Sequence, residues 1–202
     1  MNELEGRTIG WGVTAAHSAF PEVLAQIAAL RARGARVVPL LSEAVQRYET
    51  NAGPGSVWVR RFSEAAGEAP ILTVEAAEPL GPRRTLDALI VAPCTGTTLA
   101  KTANSIYDTP VLTAIKAMLR NGSPVVLGVA TNDALGLNAV NLARLLVARH
   151  VYFVPMAQDH PEEKPTSLVA DWTRCLPALE SALRGRQLQP LFLSRVAVGA
   201  AL

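Results

Sequence analysis

Apolar runs alternate with amphipathic stretches along most of this chain. Short apolar runs bounded by Gly, Pro or polar residues predict strands. On this pattern we expect strands at residues 7–13, 37–41, 86–94, 123–130 and 151–154, and a further short strand at 71–74. The runs are apolar throughout rather than alternating, which is typical of strands that are buried on both faces of a parallel sheet.

Helical periodicity fills the intervals between these runs. In residues 21–33, Val23, Ile27 and Leu30 share one face, and Gly34 follows as a stop signal. The pattern predicts further helices at 57–66, 98–103, 111–120, 136–149 and 167–184, the last kinked or shortened by Pro177. In the helix at 136–149 we expect one apolar face made of Leu135, Ala139, Leu142, Leu145 and Leu146. Residues 43–55 are polar and contain Gly and Pro, so they predict a loop.

Strands separated by helices favour the α/β class. We predict a single doubly wound domain of three layers, with a mostly parallel sheet of five to six strands. Ligands in such folds bind beyond the carboxyl ends of the strands, where the strand order reverses. The segments that follow predicted strands, residues 14–18, 42, 94–98 and 130–133, are therefore the places to look for a site.

Composition narrows the classes of partner. The 202-residue chain is 50% hydrophobic and 18% charged, with a net charge of +2, so we expect a globular protein that binds neither nucleic acid nor a membrane. We also expect no secretory signal and a cytoplasmic location. Cys94 and Cys175 are expected to be free thiols. Segment 158–165 has metal-capable side chains without the spacing of a metal site, so we predict a solvated loop and no metal.

The first loop contains the pattern G-x-G-x-x-A at residues 10–15. A dinucleotide-binding turn would have to begin at Gly10, and the strand before it would be too short for the middle of a sheet. We therefore extend the strand to Val13 and place both glycines inside it. The turn that remains is small and hydroxylic, and it predicts an anion site formed by Thr14, Ala15 and Ala16. A dinucleotide site and a turn without a ligand remain the alternatives.

Hydroxyl groups also follow two other predicted strands. Ser42 ends the second strand, where a nicotinamide enzyme needs an acidic side chain for the ribose, and a hydroxyl suits phosphate better. The strand at 86–94 is followed by Thr95, Gly96, Thr97 and Thr98. One threonine is enough to cap a helix, so three beside a glycine predict the edge of a phosphate or polar-ligand site. Helix capping alone is the alternative.

Residues 92–104, APCTGTTLAKTAN, resemble the signature of a flavoprotein superfamily. That superfamily includes the cysteine-peptide and phosphopantothenoylcysteine decarboxylases and the prenyl-flavin transferases. Longer blocks look like one of its branches, the B subunits of dipicolinate synthase: AEPLGPRRTLDALIVAPCTGTTLAKTAN, LRNGSPVVLGVATNDALGLNAVNLARLL, VYFVPMAQDHPEEKPTSLVA and GRQLQP. The resemblance ends near residue 190. We therefore assign residues 1–190 to a flavoprotein-like α/β domain and residues 191–202 to a variable C-terminal tail.

The resemblance implies a flavodoxin-like or Rossmann-like fold with an FMN-type pocket. It implies cofactor contacts, position by position, at Thr14, Ala15, Ala16, Ser42, Cys94, Thr95, Gly96, Thr97 and Thr98. The implied activity is a share in oxidising a cyclic dihydro- or hydroxytetrahydrodipicolinate to dipicolinate during sporulation, in the mother cell. The implied partner is the nicotinamide-binding A subunit of dipicolinate synthase, which carries the NAD(P), and the superfamily commonly forms homo-oligomers.

Two departures from the superfamily pattern bear on the chemistry. Thr97 stands where the cysteine decarboxylases use Asn to hold the substrate carboxylate. The sequence GVATND replaces their Pro-x-Met-Asn motif, and no histidine lies between His17 and His150. Decarboxylase activity is therefore disfavoured as an alternative. A non-catalytic structural or regulatory subunit with an empty phosphate pocket stays open as another.

Four residues near these loops are weak candidates for catalysis. They are His17 beside the first turn, Lys101 one helical turn beyond the threonines, and Asn132 and Asp133 after the fifth strand. A histidine can carry a proton, and a lysine can meet a carboxylate of the substrate. The alternatives are a helix-start role for His17, a solvated Lys101 and a helix cap at Asp133.

Overall fold

Seven strands form one mostly parallel sheet in the computed structural model, which describes residues 3–50 and 53–194. The strands are β1 (Thr8–Val13), β2 (Arg36–Leu41), β3 (Glu49–Thr50), β4 (Gly53–Pro54), β5 (Ala88–Cys94), β6 (Val125–Thr131), β7 (Val151–Phe153), β8 (Met156–Ala157) and β9 (Leu168–Ala170). The main sheet runs in the order β2-β1-β5-β6-β9-β8, β7 also pairs with β6, and β3 and β4 form a separate antiparallel pair. The predicted fold class is confirmed, with more strands than the expected five to six.

Helices cover both faces of the sheet. They are α1 (Phe20–Ala32), α2 (Glu43–Arg47), α3 (Gly55–Ala66), α4 (Val74–Ala77), α5 (Leu80–Arg83), α6 (Gly96–Ala103), α7 (Pro110–Arg120), α8 (Ala139–Leu146) and α9 (Cys175–Leu183). Side chains of β5 alternate between the two faces, so that Ile90 packs in one hydrophobic core and Leu89 and Val91 in the other. The first core includes residues of α1, α3 and α9, and the second includes residues of α4, α5, α7 and α8. These are the three expected layers.

Both glycines of the first loop pattern lie inside β1. A Cβ built on Gly10 would be 2.8 Å from Leu86 Cδ1, and one on Gly12 would be 2.9 Å from Val111 Cγ1. Neighbouring side chains therefore pack closely on the strand at both positions, and a larger residue would require them to shift. The expectation that these glycines belong to a strand rather than to a nucleotide-binding turn is confirmed.

Two predictions on the chain between β2 and β5 are wrong. The expected loop at 43–55 contains α2 and the β3–β4 pair, because Ser42 is extended and the chain turns helical directly after it. The expected strand at 71–74 is reduced to one bridge between Leu40 and Ile71. Thr73 then caps α4 by accepting a hydrogen bond from the Ala76 N–H, and this cap ends the extended conformation.

The predicted final helix, 167–184, is also wrong in its first half. Residues 168–170 form β9, which pairs antiparallel with the end of β6. Asp171 then accepts a hydrogen bond from the Thr173 N–H and starts a short 3-10 helix, and α9 begins only at Cys175. Pro177 therefore lies in the first turn of α9, where a missing N–H costs nothing.

The predicted helix at 136–149 is shorter at both ends, because α8 spans only Ala139–Leu146. A turn closed by the hydrogen bond from the Gly136 N–H to the Asp133 carbonyl delays its start. Leu142 and Leu145 are buried as expected. Leu135 and Leu146 are exposed, so the expected apolar face is narrower than predicted.

The remaining expectations concern the cysteines, the membrane and the tail. Cys94 and Cys175 are free and buried. Within residues 3–50 and 53–194, no helix has the length and apolar character needed to span a membrane, and no group of three metal-ligating side chains was found. The proposed tail begins with Leu191 and Leu193, which hydrogen-bond Met156 at the sheet edge. Its residues 195–202 lie outside the described part of the chain, and the boundary at 190 stays a prediction.

Candidate functional site

The strand order reverses between β1 and β5, because the chain moves from β1 outward to β2 and then returns to the other side of β1. In doubly wound sheets this is where ligands bind. The first residue after β1, Thr14, donates hydrogen bonds from its N–H and its hydroxyl to the carbonyl of Pro93 in β5, at 3.2 and 2.8 Å. The loops that follow the two strands are thus tied together at the reversal point.

Three threonine hydroxyls meet at this place, and we call them the threonine cradle: Thr14, Thr95 and Thr98. The Thr95 N–H donates to Thr14 Oγ1 at 2.9 Å, and the Oγ1 atoms of Thr95 and Thr98 are 3.1 Å apart. Thr95 is also the N-cap of α6, since its hydroxyl accepts from the Thr98 N–H. The capping role is real, and it leaves the N–H groups of the first turn of α6 beside the cradle, a favourable place for an anion.

A cavity of about 440 Å³, here called the cradle cavity, opens beside these hydroxyls. It is lined by Thr14, Ala15, Ser42, Glu43, Ala44, Tyr48, Thr95, Thr97, Thr98, Lys101, Thr109 and Leu112. The Ser42 Oγ lies buried in its wall without a hydrogen-bond partner. A buried hydroxyl without a partner is costly, and a ligand oxygen in the cavity would supply the missing bond.

A second cavity of about 630 Å³, here called the outer cleft, meets the cradle cavity at Ala15 and Thr95. It is lined by Ala15, Ala16, Ser18, Ala19, Glu22, Thr95, Gly96, Ala130, Thr131, Asn132, Asp133, Asp159, Lys164, Val169 and Trp172. The structure thus brings together nearly all of the cofactor positions that the sequence suggests. A ligand longer than either cavity can extend from one into the other past Thr95.

Gly96 rests against a polar socket at the inner wall of the outer cleft. A Cβ built there would be 2.6 Å from Thr131 Oγ1, 2.8 Å from Asp133 Oδ1 and 2.9 Å from Asn138 Nδ2. Thr131 Oγ1 donates to Asp133 Oδ1 at 2.5 Å, and Asn138 Nδ2 donates to Asp133 Oδ2 at 2.8 Å. Both carboxylate oxygens of Asp133 are therefore engaged, and the glycine allows the start of α6 to sit directly on them.

Lys101 and Asn132 occupy different sides of the site. Lys101 lines the cradle cavity, and its ammonium pairs with Asp108 Oδ2 at 2.6 Å. Asn132 is exposed and lines the outer cleft beside Asp133. Of the four weak catalytic candidates, only Asn132 and Asp133 line the outer cleft.

His17 lines neither of the two cavities. Its ring packs on Phe20, with the centroids 4.7 Å apart, and its Nε2 is buried without a hydrogen-bond partner. Burial lowers the pKa of His17 below its ordinary value, against a hydrogen bond to the backbone of Ala15 that raises it. A neutral ring packed on a phenylalanine suits a structural role in the first turn better than proton transfer in the cavities.

Cys94 is the cofactor-binding candidate that the structure does not bring to a cavity. Its side chain is fully buried in the second core and lines neither cavity. Burial raises the pKa of the Cys94 thiol to about 12. A thiol in this state is neither exposed nor ionised at neutral pH, so Cys94 shapes the end of β5 without offering a reactive sulfur.

Sequence reasoning missed the outer wall of the outer cleft. Asp159 and Lys164 come from the segment 158–165, for which we predicted a solvated loop, and Trp172 comes from the region predicted as helix. The antiparallel pairing of β9 with β6 brings both segments to the carboxyl edge of the sheet. The one available signal was that VYFVPMAQDHPEEKPTSLVA belongs to the blocks that carry the resemblance.

Comparison with known proteins shows the family and confirms the fold. The sequence model of the family described as Flavoprotein matches residues 1–174. The B subunit of dipicolinate synthase from Bacillus subtilis (strain 168) is 42% identical over 193 residues, 96% of each sequence. The crystal structure of the corresponding B subunit from Bacillus halodurans C is 42% identical, with a TM-score of 0.87 over 95% of this chain and 98% of that one. The FMN-dependent cysteine decarboxylase SpaF is 22% identical, with a TM-score of 0.63 over 90% and 97% of the two chains, and shows a shared fold.

Proposed function

We propose that this chain, which belongs to the family described as Flavoprotein and is similar to the B subunit of dipicolinate synthase, binds FMN. We also propose that it serves as the B subunit of such an enzyme. The observation that carries the cofactor proposal is the buried, unpartnered Ser42 hydroxyl in the wall of the cradle cavity. The identity of 42% over 96% of the chain supports the choice of enzyme.

The residues of the cradle cavity fit a phosphate group. The threonine cradle and Ser42 offer hydroxyls, and the first turn of α6 offers N–H donors and the positive end of the helix dipole. Such a set can hold a phosphate without a dedicated lysine. Lys101 also lines the cavity, where it is paired with Asp108. Phosphate binding here would give the Ser42 hydroxyl its missing partner.

The outer cleft is then the place for the flavin ring and the substrate. It meets the cradle cavity at Ala15 and Thr95, within reach of a mononucleotide whose phosphate is held by the cradle. The cleft is lined by Trp172, which offers an aromatic surface, and by the polar side chains of Ser18, Asn132 and Asp133. The glycines of the first loop are inside β1 and are not free to cradle a pyrophosphate, which supports a mononucleotide over a dinucleotide.

The proposed reaction removes two electrons and two protons from a cyclic dihydro- or hydroxytetrahydrodipicolinate, with loss of water in the second case, to give dipicolinate. When bound, FMN supplies a two-electron acceptor at the cleft. The residues that line the cleft would orient the substrate. Among the lining carboxylates of Glu22, Asp133 and Asp159, we propose Asp133, with Asn132 beside it, as the proton acceptor. An NAD(P) held by a nicotinamide-binding A subunit would take up the electrons, in the cytoplasm of a sporulating mother cell.

Flavin binding is tested by adding FMN to the purified chain and following the quenching of flavin fluorescence. We expect saturable binding of one FMN per chain and a visible flavin spectrum after gel filtration. Nicotinamide dinucleotides are the comparison ligands, and binding of these with no binding of FMN would overturn the cofactor proposal. A chain that binds no flavin but still binds the A subunit would support the alternative of a structural or regulatory subunit.

The reaction is tested by reconstitution with the A subunit. We expect the pair to form dipicolinate, followed by its ultraviolet absorbance, faster than the A subunit alone. Equal rates with and without this chain would exclude it from the chemistry. Release of carbon dioxide from a peptide with a C-terminal cysteine would instead support a decarboxylase, which Thr97 in place of the asparagine disfavours.

A further inference from the structure

We propose that Lys164 binds a carboxylate of the ligand in the outer cleft and thereby selects an acidic ring compound. The inference rests on the proposed function, since a cyclic dicarboxylate is the substrate proposed for this cleft. Among the described residues that line the cleft, Lys164 is the one cation, whereas Glu22, Asp133 and Asp159 are acids. A carboxylate ligand therefore has a single side chain of opposite charge to approach.

The loop that carries Lys164 is held in place by hydrogen bonds. The Lys164 N–H donates to the His160 carbonyl at 2.7 Å, and the Gln158 side-chain amide donates to the Pro165 carbonyl at 2.7 Å. Thr166 joins this loop to the inner wall, because its hydroxyl donates to the Asn132 carbonyl at 2.6 Å and its own carbonyl accepts from the Leu135 N–H at 2.9 Å. The two walls of the cleft are thus fixed relative to each other.

The ammonium of Lys164 lies near the cleft and makes no hydrogen-bonded ion pair with Asp159. It lies 3.9 Å from Asp159 Oδ2, beyond hydrogen-bond distance, and 46% of its side chain is exposed. Asp159 is engaged from the other side by the fully buried Ser167, whose hydroxyl donates to Oδ1 at 2.6 Å. Lys101, by contrast, is bound to Asp108 at 2.6 Å. The Lys164 end of the pair is exposed and the Asp159 end is half-buried, and at the longer distance the pair is weaker than a hydrogen-bonded one. Lys164 can therefore turn to a ligand carboxylate.

The acids of the cleft do not prevent this. Both oxygens of Asp133 accept hydrogen bonds from Thr131 and Asn138, and Asp159 accepts one from Ser167. Glu22 lies in the first turn of α1, where the helix N-terminus offsets a negative charge. Among the described residues that line the cleft, Lys164 is thus the side chain that can pair with a ligand carboxylate, and we expect it to determine where that carboxylate binds.

The outer cleft also offers a surface for a flat ring, the indole of Trp172. Trp172 is half-buried, lines the cleft, and packs closely on Gly128, where a built Cβ would be 3.1 Å from its ring. An indole held in this way can stack on a planar ring. A flat ring with a carboxylate directed at Lys164 therefore fits the outer wall.

The experiment is a calorimetric titration of the full chain, with and without FMN, using isophthalate as the probe. Isophthalate has the ring size and carboxylate spacing of dipicolinate but lacks the ring nitrogen that makes dipicolinate a metal chelator. We expect Lys164→Met to weaken isophthalate binding at least tenfold and Lys164→Arg to retain most of it. Lys116→Met is the matched control, because Lys116 is exposed on α7 and packs over Tyr107, away from the cleft.

Two results would overturn the inference: unchanged binding in Lys164→Met, or no isophthalate binding by the unmodified chain at millimolar concentration. Thermal unfolding of each variant shows whether the fold is intact. The FMN titration of the same variants separates this inference from the proposed function, since we expect Lys164→Met to bind FMN normally. Lysine-dependent isophthalate binding in a chain that binds no FMN would overturn the cofactor proposal alone.

Discussion

The Ser42 hydroxyl lies at the cradle cavity without a partner, and this gives it a clear signature. Since the hydroxyl makes no bond in the structure, its removal should not lower the free energy of unfolding. It should lower ligand affinity, because a hydrogen bond to a charged group contributes about 1.5–3 kcal/mol. Stability and binding therefore respond differently at this residue.

We expect Ser42→Ala to weaken FMN binding by about tenfold or more and to leave the midpoint of thermal unfolding unchanged or slightly raised. Fluorescence titration and circular dichroism measure the two quantities. Ser123→Ala is the control, because Ser123 precedes β6 at the opposite edge of the sheet. Equal FMN affinity in Ser42→Ala and the unmodified chain would contradict the placement of the phosphate.

Gly96 has no room for a side chain against Thr131, Asp133 and Asn138. We expect Gly96→Ala to lower the free energy of unfolding by about 1–3 kcal/mol, as overpacking does, and to weaken FMN binding because the start of α6 must shift. Gly81→Ala is the control, since the nearest atom to its Cβ would be Ala117 Cβ at 3.6 Å, an ordinary contact. Urea denaturation compares the two, and equal stability would contradict the socket.

The buried Cys94 thiol leads to a prediction about how the free energy of unfolding depends on pH. Its thiol has a pKa of about 12 in the folded chain against an ordinary 9.0, because burial disfavours the thiolate. The pKa is raised on folding, so the stability that depends on the neutral thiol is fully present below pH 9 and is lost as the pH rises toward 12. Between these limits the thiol contributes a slope of about −1.4 kcal/mol per pH unit.

We therefore expect Cys94→Ala to flatten the fall in the free energy of unfolding at alkaline pH by about that amount per pH unit, measured by urea denaturation from pH 8 upward. The difference between the variant and the unmodified chain isolates the thiol from the lysines and tyrosines that titrate in the same range. Parallel plots of the free energy of unfolding against pH for the two proteins would contradict a raised pKa of the Cys94 thiol in the folded chain.

At the scale of elements, α6 and α8 are joined by a chain of side-chain hydrogen bonds. Asn138 donates to Asp133 at 2.8 Å and accepts from Asn141 at 2.9 Å. Asn141 in turn accepts from Asn104, which accepts from Arg144 at 2.8 Å. The buried end of this chain forms the socket of Gly96, so the packing of α8 helps to position the start of α6.

We expect Asn138→Ala to lower the free energy of unfolding by about 1–3 kcal/mol, because Asn138 is buried and its loss leaves polar partners unsatisfied. Arg144→Ala, at the exposed end of the same chain, should change it by less than about 1 kcal/mol. Chemical denaturation of both variants tests whether the loss of stability is larger at the buried end of the chain of hydrogen bonds than at its exposed end. A larger loss in Arg144→Ala than in Asn138→Ala would show that the chain of bonds is not anchored at its buried end.

Prediction of the elements from the sequence succeeded for the strands that are buried on both faces of the sheet. The strands β1, β2, β5 and β6 are buried on both faces, and their apolar runs located them to within about two residues. It failed where a capping side chain competes with the apolar pattern. Thr73 and Asp171 each accept a backbone N–H and start a helical turn inside a segment predicted as strand or as continuous helix.

At the scale of the whole molecule, an exposed apolar surface on and around α8 bears on assembly. Leu137 is 92% exposed and Val147 is 83% exposed, with Val140 between them at 61%. Large exposed aliphatic side chains in one region are typical of surfaces that are covered in an assembly. This supports the homo-oligomer that the resemblance to the flavoprotein superfamily implies.

We expect the chain to sediment as a species larger than its 21.4 kDa monomer. The double variant Leu137→Glu/Val147→Glu should shift it toward the monomer, because two charges would have to be buried at the contact. Analytical ultracentrifugation measures both proteins, and Ile106→Glu, another exposed aliphatic side chain, serves as the control. A monomeric unmodified chain would contradict the expected homo-oligomer.

The fold class, the strand character of Gly10 and Gly12, and the hydroxyl groups that follow β1, β2 and β5 can be predicted from the sequence alone. These follow from local rules, since periodicity, strand length and the residues after a strand are all visible along the chain. Which of those residues line the two cavities follows from tertiary contacts. The tertiary structure turned Cys94 and His17 away from the cavities, and it brought Lys164 and Trp172 to the outer cleft. The reason is that strand order and the antiparallel return of β9 depend on contacts between distant segments, which no local pattern encodes.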